Sequence, residues 1–571
     1  MSQHVLCFKP TLDLYGGHDP SAAIFVDGEL VFAIEEERLN RRKHAVDDFP
    51  HKSINACLNY CDISLSDVDK IVLPYVPSLE SKIWLPELKR RLFSSKSTPE
   101  RLRWIERYLE HRAQAHILPT SKVKSELRQI GDSLPPIDNQ PHHRCHAASA
   151  FHPSGFDEAL VFTVDGKGEH DSTVVWHGDE QGLERLRTYT FPNSLGHFYG
   201  AVTEYLGYRA FNGEGKIMGL APYGELNEKI ETSLRSAIET GVDYDVTSIT
   251  EHGIEDGVAQ LERLLGRPRN TSRGEFTDWQ KDLARVTQHL LEEIVTGIIK
   301  QYVNETGIRT VTLSGGVALN CKMNKEIREL DAVNDVFVQP VSHDAGLALG
   351  AGFLESSPET VYQITDVYYG QAHNTEVIKS ILETNKIDYT RPTQLTQRVA
   401  EEIANGQLVG WFQGRTELGP RALGNRSILA DPRTKASRDR VNRFVKHREE
   451  WRPFAPSILA DAAESYFENP APSPFMIDTF QVRPERASEI EAVLHPADGT
   501  TRPQTVSKQQ NPKYYQLISD FADITGVPVL LNTSFNDHGE PIVNTPTEAL
   551  KDFFGMGLDV LVLDEYLVTK S

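Results

Sequence analysis

A chain of 571 residues with 60 Lys/Arg against 81 Asp/Glu, a formal net charge of −21, is long enough for more than one domain and repels polyanions at long range. Nucleic acid is therefore disfavoured as a partner, and basic residues that do cluster suit a small phosphate or nucleotide. Five cysteines without a repeated C-x-x-C point to a reduced compartment, and the start MSQHVLCFKP and later runs carry neither leader nor membrane span, so the expectation is a soluble, cytoplasmic protein without membrane partners.

The N-terminal stretch reads strand, loop, strand, turn, strand: VLCFK, GGHDPSAAIFV, an Asp27-Gly28 turn and ELVFAIE. The pattern returns in ALVFTVDG followed by KGEHDSTVVW, so that His18-Asp19-Pro20-Ser21 is echoed by His170-Asp171-Ser172. Two such hairpins suggest a duplicated fold with nucleotide or substrate between the halves, as in actin and sugar-kinase-like ATPases. Chance similarity of two short segments is the competing reading. Ser94 to Ser133 is charged and helical in pattern and reads as a solvated surface subdomain. Asn139 to Ala147, NQPHHRCHA, looks like a helix start with a cap-type residue and a proline before the first turn, which places His142 and His146 on one face.

Two imidazoles at i and i+4 can chelate one divalent metal, but unrelated histidines often fall at that spacing, so carboxylates must complete the site. Asp165 in TVDGKG and Asp344 in SHDAG each sit where an apolar strand ends in a glycine loop. A two-His, two-Asp set suits iron(II), zinc or manganese. Between these carboxylates, AFNGEGK offers Lys216 to a phosphate, and LSGGVALN presents Gly315, Gly316 and Asn320 where bare backbone could receive a nucleotide. Either loop could instead be only a tight turn. Apolar spacing predicts a helix over Thr277–Tyr302, and LALGAGF reads as a small-residue helix able to pack closely.

The pattern loosens near residues 355 to 370, which divides the chain into domains 1–357 and 358–571. The second is α/β, with helices such as Thr393 to Asn405 alternating with strands such as LVGWF and VPVLLN. Gln413 to Pro456 carries eleven Lys/Arg against five Asp/Glu. Its glycines let backbone approach a ligand while guanidinium forks grip oxygens; Arg421, Arg426, Lys446, Arg448 and Arg452 are the candidates. A basic solvated helix from about Ala436 to Glu450 accounts for Lys435, Arg438, Arg440 and Arg443. Asn532, Ser534 and Asn536 follow an apolar strand, where they could orient a small polar substrate or merely satisfy a turn.

The words HDPSAA, EEERLNRRKH, HHRCHAASAF, DGKGE, GKIMGLAPYG, LSGGVALNCKMN, GRTELGPRALGNRSILADPR, VKHREEWRPFAP and NTSFN run in order from residue 18 to 536. Together they resemble the O-carbamoyltransferase family of nodulation-factor and antibiotic biosynthesis. The resemblance implies an N-terminal domain like the metal-dependent threonylcarbamoyl transferase of tRNA modification, with a duplicated actin-like ATPase (ASKHA) fold, and a YrdC-like α/β C-terminal domain. The C-terminal domain would make carbamoyl adenylate from carbamoyl phosphate and ATP, with magnesium. The N-terminal domain would transfer the carbamoyl group to a hydroxyl of a small-molecule natural product or sugar. By motif position His142, His146, Asp165 and Asp344 correspond to the metal site, and Gly315, Gly316 and Asn320 of the GGVALN loop to the adenylate pocket, which Lys216 could join as a nucleotide-binding residue. Arg421, Lys446, Arg452, Arg502 and Ser534 fall on motifs that hold carbamoyl phosphate or ATP, Arg421 and Arg452 in catalytic roles, and His18 would be the base for the acceptor hydroxyl. Where a family member has an acidic residue shortly before that histidine, Gly16 and Gly17 stand here, which leaves open what orients His18.

Three other readings compete. An ATP-dependent sugar kinase gives no role to the His pair or the arginine-rich domain. A tRNA threonylcarbamoylation enzyme is opposed by the acidic chain, and a non-catalytic nucleotide-binding regulator is the third. The acceptor is open among an aminoglycoside, another sugar, a macrolide and a small toxin alcohol.

Overall fold

The first strand, β1 (His4–Lys9), is an almost unbroken apolar run and is buried along most of its length, as expected of a strand covered on both faces. It centres a sheet with β2 (Ser21–Val26), β3 (Glu29–Glu35), β4 (Lys70–Leu73) and β5 (Ile137–Asn139), in the order β3-β2-β1-β4-β5. The β1–β2 and β2–β3 pairs are antiparallel; β1–β4 and β4–β5 are parallel. The turn between β2 and β3 places Asp27 at φ 51° and Gly28 at φ 86°, the left-handed pair that a two-residue hairpin demands.

A second sheet repeats this plan. It contains β6 (Ala159–Gly168), β7 (Asp171–Asp179), β8 (Gly182–Thr190), β9 (Thr310–Ser314) and β10 (Asp335–Val338), in the order β8-β7-β6-β9-β10. Here β6–β7 and β7–β8 are antiparallel, and β6–β9 and β9–β10 parallel. Order and direction coincide strand for strand, and His18 and His170 occupy the same connection in the two sheets.

This computed structural model describes residues 2–11, 17–79, 119–272, 274–356, 363–449 and 451–570, with isolated positions 88, 92, 98, 102 and 105. Gly16, most of the charged segment over residues 94–118, residues 357–362 of the boundary region and Glu450 lie outside the described residues. The chain divides into two compact units: one with residues up to Asn40, His44–Leu319 and Glu326–Gln363, the other with Arg41–Lys43, Asn320–Lys325 and Ile364–Ser571. Both are mixed α/β.

In the first unit the helix His142–Phe151 lies on β6 and β9, and the helix Leu347–Ser356 lies on β1, β2 and β4. These helices pack on each other so closely that a Cβ built at Gly350 would stand 1.8 Å from the Cys145 carbonyl oxygen; one at Gly352 would stand 1.9 Å from the Phe25 ring of β2, so the Leu347 helix is equally close to the sheet. Small residues here set the distance between helices, because protein interiors leave no slack of that size. The N-terminus of the His142 helix differs from expectation. Asn139 ends β5 and donates to the Tyr75 carbonyl at 2.6 Å, so it is no cap; Glu169 accepts the His142 N–H instead, at 3.1 Å.

In the second unit β11 (Val409–Phe412), β12 (Arg426–Ala430), β13 (Ala455–Leu459), β16 (Gln504–Val506), β17 (Val529–Ser534), β18 (Val560–Leu563) and β19 (Tyr566–Thr569) form a seven-stranded sheet, ordered β16-β13-β17-β12-β11-β18-β19. A small ribbon joins β14 (Phe480–Gln481) to β15 (Thr500–Thr501). The expected helix at Thr393 to Asn405 spans Leu395–Ala404 and packs on Pro512–Thr525. The basic helix begins at Lys435 but changes at Asn442 into a π-helical turn ending at Lys446, with His447 left-handed at φ 46°. Among the described residues no helix is long and apolar enough to cross a membrane.

Replacing an exposed helical glycine by alanine ordinarily stabilises a helix by about 1 kcal/mol. Gly350→Ala should do the opposite, since overpacking of a close-packed contact costs about 1–3 kcal/mol. A thermal melt should show a lowered midpoint.

Candidate metal centre and anion site

The first unit gathers His142, His146, Asp165 and Asp344, all buried, with donor atoms within 4.8 Å of one another. The i, i+4 spacing on one helix places both imidazoles together, Asp165 comes from the end of β6, and Asp344 precedes the Leu347 helix. His142 Nε2 lies 3.0 Å from Asp165 Oδ2 and 3.8 Å from Asp344 Oδ1; His146 Nε2 lies 3.4 and 3.9 Å from the same atoms. The outward atoms are tied: His146 Nδ1 pairs with Ser314 Oγ at 3.2 Å, the Gly316 N–H donates to Asp165 Oδ1 at 3.1 Å, and Lys9 Nζ lies 3.2 Å from Asp344 Oδ2. His146 Nε2 is buried, with Asp165 Oδ2 at 3.4 Å.

For His142, burial is outweighed by Asp165 and Asp344 and its pKa is raised, so a cation would have to displace its proton; the charge states of the other three groups suit one. Burial opposes ionisation of Asp165, yet its contacts with His142 and His146 outweigh that and hold it well below the ordinary carboxylate range. Asp344 is lowered too, burial being outweighed by Lys9 and His142. Burial lowers His146, leaving its imidazole neutral. Two anionic oxygens and a neutral imidazole nitrogen, oriented by contacts on their far sides, fit a divalent metal.

Lys9 also donates to the His18 carbonyl, which links this cluster to the loop before β2. There His18 Nδ1 is 2.9 Å from Asp19 Oδ2, and His44 Nδ1 is 2.8 Å from Asp19 Oδ1. The residue that orients His18 thus follows it in the chain. Burial depresses His18, but the Asp19 hydrogen bond and the charge of Asp344 more than compensate, so its pKa is raised above 6.5.

Gly315 adopts φ 93°, and any Cβ there would stand 2.3 Å from the Val164 carbonyl oxygen, so this turn requires glycine. Lys216 Nζ lies 4.3 Å above the Tyr208 ring. Asn320 accepts the Met323 N–H at 3.0 Å within the second unit, to which residues 320–325 belong.

The second unit concentrates Arg421, Arg448, Arg452 and Arg502, all half-buried and near enough to perturb one another. Burial and the charges of Arg502 and Arg452 push Arg421 down to about 9, and burial with Arg452 and Arg502 holds Arg448 well below its usual range. Arg421 Nε and Arg502 Nε are buried without hydrogen-bond partners, while Arg452 has Glu449 at 3.5 Å. Lys446, delivered by the π-helical turn, is buried; its Nζ donates to the Ser534 carbonyl at 2.6 Å and lies 3.3 Å from Ser534 Oγ and 3.0 Å from Asn536 Oδ1. Burial first, then Arg448 and Lys43, lowers it strongly.

Arg426 does not join this group. Its guanidinium is fully buried, donates to the carbonyls of Gln413, Asn425, Gly414 and Gln371, and lies 3.6 Å over the Phe412 ring. Arg426 is therefore a structural residue, as is Arg415, which donates to the Gly370 carbonyl at 3.0 Å.

The family description Carbamoyltransferase N-terminus matches residues 12–353, and Carbamoyltransferase C-terminus matches residues 400–570. The chain belongs to the carbamoyltransferase family. This carbamoyltransferase is 37% identical over 569 residues to nodulation protein NolNO of Sinorhizobium fredii, covering 97% of this chain and 79% of that one. It is 40% identical over 442 residues to nodulation protein NolO of Bradyrhizobium diazoefficiens, covering 75% and 78%. Among solved structures, full-length HypF in its phosphate- and nucleotide-bound form is similar at TM-score 0.36 and 13% identity, covering 63% of this chain and 56% of that chain.

Three positioning groups of the carbamoyltransferase escape sequence reasoning. Lys9 is the lone formal charge of an apolar strand, a signal that was available. Glu417 Oε1 accepts the N–H groups of Leu423, Asn425 and Arg426 at 2.9, 2.8 and 3.0 Å, fastening the loop that carries Arg421; only its place in GRTELGPRALGNR hinted at this. Glu169 lies too far along the chain from the helix it caps to be paired with it by spacing.

Like charges held together with few carboxylates lower stability, and a bound anion restores it. Arg421→Gln should therefore melt at or above the wild-type temperature, with a gain up to about 1 kcal/mol, whereas Arg426→Ala should melt several degrees lower. Differential scanning calorimetry with and without inorganic phosphate should show stabilisation of the wild type that shrinks in Arg421→Gln.

Proposed function

We propose that this carbamoyltransferase is an ATP-dependent O-carbamoyltransferase with one reaction in each domain. The domain of residues 358–571, YrdC-like, joins carbamate from carbamoyl phosphate to AMP. The domain of residues 1–357, built on the duplicated actin-like ATPase fold, transfers the carbamoyl group to a hydroxyl of a small-molecule natural product or sugar. The observation that carries this reading is the carboxylate-poor cluster of Arg421, Arg448, Arg452, Arg502 and Lys446, a place suited to two anions that must meet. The repeated sheet order supports the actin-like part.

In the first reaction water releases phosphate from carbamoyl phosphate, the carbamate oxygen bonds to the α-phosphorus of ATP, and pyrophosphate leaves, with magnesium accompanying the nucleotide. Arg421, Arg452 and Arg502 offset the charge gathered there, and Lys446 with Ser534 supplies further donors. In the second reaction the acceptor oxygen bonds to the carbamoyl carbon, AMP leaves, and the hydroxyl proton passes to His18 Nε2. Asp19 holds His18 Nδ1–H and so leaves Nε2 as the free base. A divalent cation held by His142, His146, Asp165 and Asp344, iron(II) with zinc or manganese as alternatives, would supply Lewis acidity toward the adenylate phosphate. Gly315, Gly316, Asn320 and Lys216 are the nucleotide-binding candidates.

Arg421→Ala or Arg452→Ala should abolish carbamoyl-phosphate-dependent pyrophosphate release while metal content stays intact. A charge-assisted contact is worth about 1.5–3 kcal/mol, and 3 kcal/mol exceeds a hundredfold in rate. Metal analysis of anaerobically purified protein should find about one equivalent, lost in the His142→Ala/His146→Ala double variant; full retention there would remove these histidines from the site.

His18 as base makes a signed prediction. Its pKa is raised above 6.5, so the free base gains population as pH rises through a higher value than an ordinary histidine's. With authentic carbamoyl adenylate supplied, the transfer rate should climb with a midpoint above 6.5, and Asp19→Asn should move that midpoint down. His18→Ala should lose about a hundred- to ten-thousand-fold in transfer, and wild-type rates in that variant would eliminate His18 as the base.

A further inference from the structure

Phe211 is a large aromatic residue with left-handed backbone, φ 62°, a conformation that bulky side chains rarely adopt. Its N–H is fastened to Glu214 Oε1 at 2.7 Å, and the following turn is wedged by Gly213, where a Cβ would stand 2.6 Å from Tyr208 Cβ. What this strained backbone achieves is not burial, since Phe211 remains 54% exposed. It brings the ring to His18, stacked at 5.6 Å between centroids and 30° between planes, and edge-on to His197 at 6.0 Å. A Cβ built on Gly166, the residue after Asp165, would meet His197 at 3.4 Å and Phe211 at 3.6 Å, so both rings converge beside the donor cluster. His197 Nδ1 is buried and makes no hydrogen bond.

Backbone strain that exposes an apolar ring next to a reacting group is retained where it serves a ligand. We propose that Phe211 is the platform on which the acceptor packs a ring face while its hydroxyl reaches His18, so that this site selects ring-borne hydroxyl compounds over open-chain ones. An aromatic face gains most from a flat, rigid partner that covers it without losing torsional freedom; an open-chain alcohol must freeze several bonds to cover the same area. The inference rests on the carbamoyl-transfer reading for the role of His18, and Phe211 acts as a specificity-determining residue of that site.

The test is saturation-transfer difference NMR on the full chain with two matched pairs of probes: methyl β-D-glucopyranoside against D-sorbitol, and cyclohexanol against 1-hexanol. The wild type should saturate the ring protons of the cyclic member of each pair more strongly than its open-chain counterpart. Phe211→Ala should bind the cyclic probes about two- to tenfold more weakly and erase that preference, and Phe211→Tyr should restore it. Phe211→Gly, which suits the left-handed backbone, serves as the second platform-less variant and should match Phe211→Ala. Equal responses from cyclic and open-chain probes in the wild type, or undiminished cyclic binding in both platform-less variants, would overturn the proposal. Failure of the proposed carbamoyl-adenylate reading shows itself elsewhere, as absent carbamoyl-phosphate-dependent pyrophosphate from wild-type protein, and leaves this binding comparison intact.

Discussion

The near-contact of the Leu347 and His142 helices governs the rest of the first unit. Gly350 meets the carbonyl of Cys145, and Cys145 lies between His142 and His146 on the same helix. Asp344 is only a turn ahead of Gly350's helix, so one packing distance fixes where two imidazoles stand relative to a carboxylate. A side chain at position 350 would push the helices apart by more than the tolerance a metal donor set allows. Asp165 reaches the same point from the end of β6, held by the backbone of Gly316. The donor cluster is thus a product of close packing between elements that belong to different sheets.

The second unit solves an opposite problem. Its cluster is built from charges of one sign, and the surrounding structure holds them together with little neutralisation. Glu417 could have been an ion partner, but one of its oxygens is engaged by three backbone N–H groups, which shape the loop and leave the guanidinium of Arg421 uncompensated by it. Lys446 is likewise held by carbonyl, hydroxyl and amide oxygens, its hydrogen-bond acceptors among the described residues, and not by a carboxylate. The π-helical turn that ends at Lys446 is what breaks an otherwise ordinary basic helix and turns this one lysine inward while Arg443 stays exposed.

Much of this was legible in the residues, for definable reasons. The strands of both sheets announce themselves because β1, β6 and β9 are apolar runs, two of them running straight into glycine, and the paired His18 and His170 words do occupy equivalent connections. The His142/His146 pair and the two strand-end aspartates could be grouped because helical spacing and strand-end position are both local signals. Arg426 looks like a ligand-gripping residue in the sequence because composition cannot distinguish such a guanidinium from one that satisfies four backbone carbonyls; that depends on where the chain returns. Asn139 looks like a cap for a related reason: the group that accepts from the start of the His142 helix is Glu169, 27 residues after His142, and no local pattern joins them.

Strain gives a further link between the fold and its chemistry. Asp19, His44, Ala45 and Asp47 all have positive φ, at 55°, 61°, 38° and 60°, and none is glycine. They face one another across the loop that carries His18, zipped by the bonds from the Asp19 N–H to the His44 carbonyl and from the Asp47 N–H to the Gly17 carbonyl. Each such residue costs of order 1–3 kcal/mol and persists only where neighbours over-determine it. Here the over-determination is the double claim on Asp19, whose two oxygens are taken by His18 and His44. A loop of glycines could trace the same path with less strain, but it would leave the His18 ring free to rotate. Strained backbone that immobilises one imidazole makes sense only if its direction matters, and that direction is set by the same aspartate that raises its affinity for a proton.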